Sequence, residues 1–315
     1  MTTVKLGLLP WSQATDWPAY ADIAVRAEAL GYDSLWSWDH LYAIFGDPYQ
    51  PIFEAYTTLA AWAAMTERIK IGLMVGAITM RNPGLVAKSI VTVDHISNGR
   101  AMCGLGGAWF ELEHTAHGID FGSSVGQRLD WMDEAAGILR AIFDGETVTH
   151  DGPRYHAEAL VHHPRPVQAH VPIVIGGEGE RKTLRSVAKY ADIWNGGGTV
   201  ELLAHKGDVL RRHCEEVGRD PAAILWTANC KIFIRDTEAE ARRVFEDLMA
   251  ANRTPMDYVA DDPTFWMGTP EQIAETMLAY HAIGFDGFIN EAPAPYDIES
   301  IERLVTEVKP MVEAG

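Results

Sequence analysis

The chain has 315 residues, of which 47% are hydrophobic, and this composition is typical of a packed globular protein and argues against disorder. Its formal net charge of −18 makes nucleic acid and anionic membrane surfaces poor partners, because phosphate binding draws on an excess of Lys and Arg. No apolar run reaches the roughly 18 residues that a membrane-spanning helix needs.

The cysteines and histidines point away from structural metal or disulfide chemistry. Cys103, Cys214 and Cys230 are odd in number and show no C-x-x-C spacing, so we expect free thiols and a cytoplasmic protein. The motif H-E-x-x-H is absent, and the adjacent His162 and His163 cannot share one face of a helix. The sequence therefore predicts no metal site.

Short apolar, β-branched runs bounded by turn residues predict eight buried strands. In chain order they cover residues 4–9, 34–38, 69–78, 101–105, 172–175, 192–195, 224–234 and 286–290. Apolar residues at i, i+3 and i+4 predict helices between most of them. These helices cover residues 17–30, 57–65, 83–96, 128–143, 182–190, 200–217 and 270–283. Gly31 is suited to end the first helix, and Asn82 is suited to cap the third, with Pro83 at its first position.

Eight strands alternating with helices imply parallel pairing and predict an α/β fold, a closed (β/α)8 TIM barrel in one domain over residues 1–315. An open doubly wound sheet is the alternative. It would usually carry a G-x-G-x-x-G turn after the first strand, which here ends in LLPWSQ. Three long stretches predict insertions after strands 2, 4 and 7 of the eight. They are 41–56, 145–171 with a hairpin at Asp151-Gly152, and 237–266 with its own helix.

Functional groups of a barrel collect where its strands end. The second strand ends in Asp39 and His40, and a histidine beside a carboxylate can act as an acid or base near neutral pH. The alternative is that Asp39 caps a helix or fixes a loop through a hydrogen bond. Other strand ends offer Trp11, Gly76, Ala77, Thr79, Trp109 and Asn229.

Glycines cluster after the fourth and fifth predicted strands. GGEG at 176–179 precedes a helix, whose free amide groups favour an anion, and Arg181 and Lys182 add positive charge. Glu178 and Glu180 would repel a phosphate unless they point outward, and a tight strand-to-helix turn is the alternative reading. GLGGAWF at 104–110 repeats the glycine pattern beside an aromatic residue. Two such strand ends favour a large planar ligand that carries phosphate.

Four segments together resemble the bacterial luciferase-like oxidoreductases, which are (β/α)8 barrels that bind FMN or the deazaflavin coenzyme F-420 (F420). The segments are ALGYDSLWSWDH at 29–40, GLMVGAITMRNPGLVAKSIVTVDHISNGR at 72–100, GLGGAWFELEHTAHGIDF at 104–121 and PIVIGGEGERKTLRSVAKYADIWN at 172–195. The segment AHKGDVLRRHCEEVGRDPAAI at 204–224 further resembles an actinobacterial branch commonly assigned to the deazaflavin.

The resemblance implies a role for each candidate residue. The flat cofactor ring would lie across the barrel mouth against the third strand, where a non-prolyl cis peptide would by position join Gly76 and Ala77. His40 would be the catalytic acid or base, or would position the substrate. The cofactor-binding residues would be Asp39, Gly76, Ala77, Gly106, Gly107, Gly176, Gly177, Glu178 and Gly179. The substrate would meet Trp11, Thr79, Trp109 and Asn229.

The implied function is an F420-dependent oxidoreductase that transfers hydride between the cofactor and a small apolar or aromatic substrate. Some deazaflavin dehydrogenases of the family carry a glutamate where this chain has Trp109, so sugar-phosphate dehydrogenation is not expected. Two alternatives stay open: an FMN-dependent luciferase-like monooxygenase, and a barrel that binds a flavin without catalysis. The resemblance also implies a homodimer.

Overall fold

Eight parallel strands close into a ring in the computed structural model, which describes residues 3–314. The strands along the chain are β1 (Lys5–Pro10), β2 (Ser34–Ser37), β3 (Lys70–Leu73), β4 (Ala101–Leu105), β5 (Val148–Asp151), β6 (His156–Leu160), β7 (Ile173–Gly176), β8 (Ile193–Gly196), β9 (Leu225–Ile234), β10 (Phe265–Gly268) and β11 (Gly287–Ala292). Around the ring the order is β1, β2, β3, β4, β7, β8, β9 and β11, and the pairing of β11 with β1 closes it. The predicted (β/α)8 barrel is confirmed.

The helices pack outside this ring. They are α1 (Trp17–Leu30), α2 (Ala55–Met65), α3 (Pro83–Ile96), α4 (Glu111–His117), α5 (Val125–Phe143), α6 (Thr183–Tyr190), α7 (Val200–Val217), α8 (Glu238–Ala251), α9 (Met256–Val259), α10 (Pro270–His281), α11 (Ile298–Arg303) and α12 (Lys309–Ala314). The predicted caps are present: the Asn82 side chain accepts from the Gly84 N–H, and Gly31 ends α1 with φ of 91°. Of the helices within residues 3–314, none combines the length and apolar character that crossing a bilayer requires.

Strand alternation divides the core into two clusters. Leu35 and Phe288 face the helices, whereas their chain neighbours Trp36 and Ile289 belong to the cluster inside the barrel. The Trp36 indole fills that interior, and a Cβ at Gly7 would lie 2.7 Å from its ring nitrogen. The barrel below the mouth is therefore packed with side chains, which leaves the rim for a ligand.

The three predicted insertions are present. The second contains the antiparallel hairpin β5–β6, and the Tyr155 hydroxyl donates to the Ile78 carbonyl at 2.9 Å, which ties the hairpin to the loop after β3. The third contains α8 and α9. It also contains β10, which the sequence did not predict and which pairs in parallel with the second half of β9, from Lys231 to Ile234.

The end of the third strand was predicted wrongly. β3 ends at Leu73 rather than at residue 78, and the non-prolyl cis peptide joins Met74 and Val75 rather than Gly76 and Ala77. The Met74 N–H still donates to the Ser37 carbonyl of β2 at 3.0 Å, and beyond it the chain leaves β2 but follows β4. The Gly76 N–H donates to the Gly104 carbonyl at 3.1 Å, and the Gly106 N–H donates to the Gly76 carbonyl at 2.8 Å. These pairings continue the strand-like apolar pattern without a regular strand.

Candidate active site

A cavity of about 550 Å³ lies at the carboxyl ends of the barrel strands, and this volume is typical of small-molecule sites. Its wall comes from the chain that follows β2, β3, β4 and β7 and from the ends of β8, β9 and β11. The predicted residues that line it are Asp39, His40, Ala77, Gly106, Gly107, Trp109, Gly176, Gly177, Glu178, Gly179 and Asn229. The structure therefore brings most of the predicted site into one space.

Three predicted residues lie behind the wall instead. Trp11 is buried and stacks on Phe45, with ring centroids 4.2 Å apart. The Thr79 hydroxyl lies 2.7 Å from Nε2 of His114, and this hydrogen bond uses the hydroxyl that would otherwise contact a substrate. A Cβ at Gly76 would lie 2.7 Å from the Gly104 carbonyl oxygen, so this glycine permits close contact with β4. These positions support the cavity rather than face it.

His40 is held by a buried glutamate that the sequence did not reveal. Its Nδ1 lies 2.9 Å from Oε1 of Glu113, while Oε2 of the same carboxylate accepts the Leu41 N–H at 2.7 Å. A carboxylate beside Nδ1 favours the tautomer of the neutral ring that carries its proton on Nδ1, which leaves Nε2 as the nitrogen free to accept a proton. Glu113 stands 73 residues from His40 on α4, a helix too short to give a periodic signal.

Asp39 fixes the loop after β3 and contributes to the cavity wall. Its Oδ2 accepts the Ala77 N–H at 2.9 Å, and the Arg81 guanidinium donates to both carboxylate oxygens, at 2.9 and 2.7 Å. Burial raises the pKa of Asp39 above its ordinary value, although Arg81 and the Ala77 N–H oppose the shift. Arg81 also contacts Glu54 at 2.9 Å, and the network holds residues 77–81 beside the mouth.

Val75 explains two of the rim glycines. A Cβ at Gly106 would lie 2.6 Å from one Val75 methyl group, and a Cβ at Gly176 would lie 3.2 Å from the other. At Gly106 and Gly176, therefore, the group that lies close to the backbone is the Val75 side chain and not a bound ligand. Val75 thus fits between the ends of β4 and β7, and it lines the cavity.

The glycine turn before α6 has a carboxylate inside it. Gly177 has φ of +114°, a conformation that favours glycine, and the turn leads into α6 at Thr183. Glu178 does not point outward, because its Oε1 accepts the Gly197 N–H at 2.6 Å. Burial raises the pKa of Glu178, and the Gly197 N–H partly opposes that rise. The Gly177 N–H donates to the Asn195 carbonyl at 2.9 Å, so an anion in this turn would meet fewer free amide groups than the sequence suggests, and it would also meet this carboxylate.

A second buried polar cluster stands on β9 and β11, and of its members the sequence prediction named Asn229 as a site residue. The Asn229 amide nitrogen donates to Oε1 of Glu291 at 2.8 Å, and the Lys231 ammonium lies 3.3 Å from Oε2 of the same carboxylate. Lys231 also donates to the Thr264 hydroxyl at 3.0 Å. Within residues 3–314 the Asn229 carbonyl oxygen is buried without a hydrogen-bond partner, which a ligand donor would satisfy.

Residues 7–287 match the family model for the luciferase-like monooxygenases. The chain belongs to this family.

The curated relatives include an uncharacterized protein of Mycobacterium tuberculosis, 32% identical over 47% of this chain and 51% of that protein, so the chain spans about half the length of that relative. Two luciferase-like relatives match over most of their length at 26% identity. An F420-dependent glucose-6-phosphate dehydrogenase of Kineococcus radiotolerans matches over 93% of this chain and 92% of its own. An FMNH(2)-dependent dimethylsulfone monooxygenase of Pseudomonas putida matches over 92% of this chain and 86% of its own.

Solved structures support the fold of this luciferase-like chain. An F420-dependent secondary alcohol dehydrogenase, in complex with an F420-acetone adduct, superposes with a TM-score of 0.85. The match covers 98% of this chain and 99% of that one at 19% identity. A long-chain alkane monooxygenase superposes with a TM-score of 0.82 at 16% identity, over 100% of this chain and 92% of its own.

Proposed function

We propose that this chain is an F420-dependent oxidoreductase whose substrate is a small apolar or aromatic compound. The observation that carries the proposal is the rim cavity, in which the glycine-rich ends of β4 and β7 lie beside an imidazole held by a buried carboxylate. When bound, the deazaflavin supplies hydride transfer, which protein side chains do not perform.

The residues present fit such a cofactor. Val75 and Ala77, with the main chain at Gly106, would lie against the flat ring. Residues 176–179 would lie against its phosphate, with the Gly177 N–H already donated to the Asn195 carbonyl. The unpartnered Asn229 carbonyl oxygen would accept a hydrogen bond from a ligand donor. One cavity would thus offer an apolar surface for the ring, a site for the phosphate and a hydrogen-bond acceptor for a ligand donor.

His40 would move the proton. With Nδ1 held by Glu113, Nε2 is the ring nitrogen available to take a proton from a substrate hydroxyl or to return one to a carbonyl. Trp109 stands beside the imidazole, with ring centroids 5.6 Å apart, and together with Phe110 would exclude water from one side of the substrate.

The choice of F420 over FMN rests on the resemblance of residues 204–224 to an actinobacterial branch commonly assigned to the deazaflavin, and on the F420-dependent relatives. The second candidate, an FMN-dependent monooxygenase, is favoured by the Pseudomonas putida relative at equal identity. A barrel that binds a flavin without catalysis is the third, and the ordered His40–Glu113 pair argues against it.

Equilibrium titration of the purified protein with F420 and with reduced and oxidised FMN tests the proposal. We expect F420 to bind more tightly than either form of FMN. Preference for FMN, together with incorporation of an oxygen atom from O2 into an added substrate in the presence of reduced FMN, would assign the monooxygenase instead. Binding of neither cofactor would refute the proposal.

A further inference from the structure

A second cavity of about 570 Å³ lies next to the first. The loop after β2 and helices α4 and α9 form it, and the residues that matter here are Ala43, Ile44, Pro48, Phe110, Leu112 and Tyr258. Ile44 lines both cavities. The two spaces are therefore separated by one side chain at that point, rather than by a layer of the barrel.

Aromatic side chains make the same connection on another wall. Trp109 lines the first cavity and Phe110 lines the second, and their rings stack with centroids 5.3 Å apart. Tyr258 is 59% exposed and Leu112 is 38% exposed, and both line the second cavity. Large apolar side chains held open to water around one concavity mark a site that gains free energy when an apolar ligand covers them.

Hydrogen bonds hold the shared wall in place. The buried Gln13 side chain accepts the Ile44 N–H at 2.9 Å and the Phe45 N–H at 3.1 Å, and it donates to the Phe45 carbonyl at 2.9 Å. Gln50 donates to the Asn252 carbonyl at 3.1 Å, which joins this loop to the chain that leads into α9. The second cavity is thus largely preformed, and a ligand need not order it.

The charge on the walls selects the kind of ligand. Among the described residues that line the second cavity, the charged side chain is that of Asp257. A carboxylate or phosphate on the ligand would be repelled by the Asp257 carboxylate and would lose its hydration against the apolar walls. An uncharged hydrocarbon would instead bury apolar area against those walls. Anionic tails are therefore disfavoured.

We infer that the substrate is elongated and uncharged, with its polar reacting group near His40 and an apolar tail that passes Ile44 into the second cavity. The position of the reacting end rests on the proposed function. The position of the tail rests on the second cavity alone, so binding can be measured without turnover.

The test is calorimetric titration with butanol, hexanol, octanol and decanol, on protein without cofactor and on protein loaded with F420. We expect affinity to rise by roughly fourfold for each added methylene group that the apolar wall covers. L112E places a charge on one wall and Y258E on the other, and each should weaken decanol binding by about tenfold while leaving butanol binding unchanged. L85E is the matched control, because Leu85 is also exposed in the first turn of a helix but lines neither cavity.

Affinity that does not rise beyond butanol in the unaltered protein would overturn the inference, as would chain-length dependence that L112E and Y258E leave unchanged. These outcomes are distinct from failure of the proposed function. The latter would appear as absence of F420 binding, whereas the alkanol titrations on cofactor-free protein need neither a cofactor nor turnover.

Discussion

His40 is the residue whose loss should affect chemistry rather than binding. His40→Ala removes Nε2 from the cavity without touching the glycine turn, so the affinity for F420 should be unchanged. Turnover should fall by about 10²–10⁴-fold, the usual contribution of a positioned acid or base. Single-turnover rates and cofactor titration check the two parts separately. His156→Ala, at an exposed hairpin position, is the control, and equal turnover in both variants would refute the role of His40.

Glu113 should matter for stability as well as for His40. Glu113→Ala removes the acceptor of the Leu41 N–H and the partner of His40 Nδ1. The free energy of unfolding should fall by about 1–3 kcal/mol, since part-buried donors lose their acceptor. Urea unfolding measures this change in the free energy of unfolding. Glu111→Ala, exposed on the same helix, should change it little, and equal losses in both variants would contradict this account.

Glu178 should weaken cofactor binding in a pH-dependent way. Glu178→Gln keeps an oxygen for the Gly197 N–H and removes a negative charge from the anion site, so F420 should bind several-fold more tightly near neutral pH. As the pH falls, the natural Glu178 takes up a proton and loses its charge, so the two affinities should converge. Burial raises the pKa of Glu178, and convergence should therefore begin above about pH 4.3, the ordinary value for glutamate. Titration across this pH range measures it.

The control stands in the same turn. Glu180 is more exposed, and its hydrogen bonds to Lys206 and His205 lower its pKa, so Glu180→Gln should show no such convergence above the ordinary value for glutamate. If Glu178→Gln binds F420 no better than the natural protein at any pH, the phosphate does not occupy this turn.

At the scale of elements, Val75 couples the end of β4 to the end of β7. Gly106→Ala would place a methyl group 2.6 Å from Val75, and such overpacking costs about 1–3 kcal/mol of folding free energy. Val75→Ala in the same chain should restore part of the loss by vacating that space. Thermal unfolding of the single and double variants measures it. Gly126→Ala on α5, whose added methyl group would have no neighbour closer than 3.7 Å, should be benign; destabilisation that Val75→Ala does not relieve would contradict this packing.

Elements with local signals were predictable, and those fixed by distant contacts were not. The bounds of α1, α3 and α7 match the prediction because side-chain caps mark their starts and, for α1 and α7, left-handed glycines mark their ends. The end of β3 does not match the prediction, since residues 76–78 follow β4 through backbone hydrogen bonds that sequence alone does not reveal. The glycine turns were found from composition, whereas the Glu113 and Lys231 contacts depend on the closed barrel.

For the whole molecule, the count of strands and their alternation with helices was enough to predict the barrel, because parallel strands joined by right-handed crossovers leave few topologies.

The homodimer implied by the family resemblance stays a prediction. Light scattering during gel filtration should give a mass near twice 34.8 kDa. A mass near that of one chain would contradict it.

β9 belongs to the ring through its first half and to β10 through its second. The excursion between β9 and β10, residues 235–264, is consequently held at its base by backbone pairing from Phe265–Lys231 to Gly268–Ile234. Its far end carries Tyr258, which lines the second cavity, and surface segments of this kind accept changes of length and composition more readily than barrel strands. Substitutions at that end should therefore alter which compounds the second cavity accepts while the rim cavity keeps its shape.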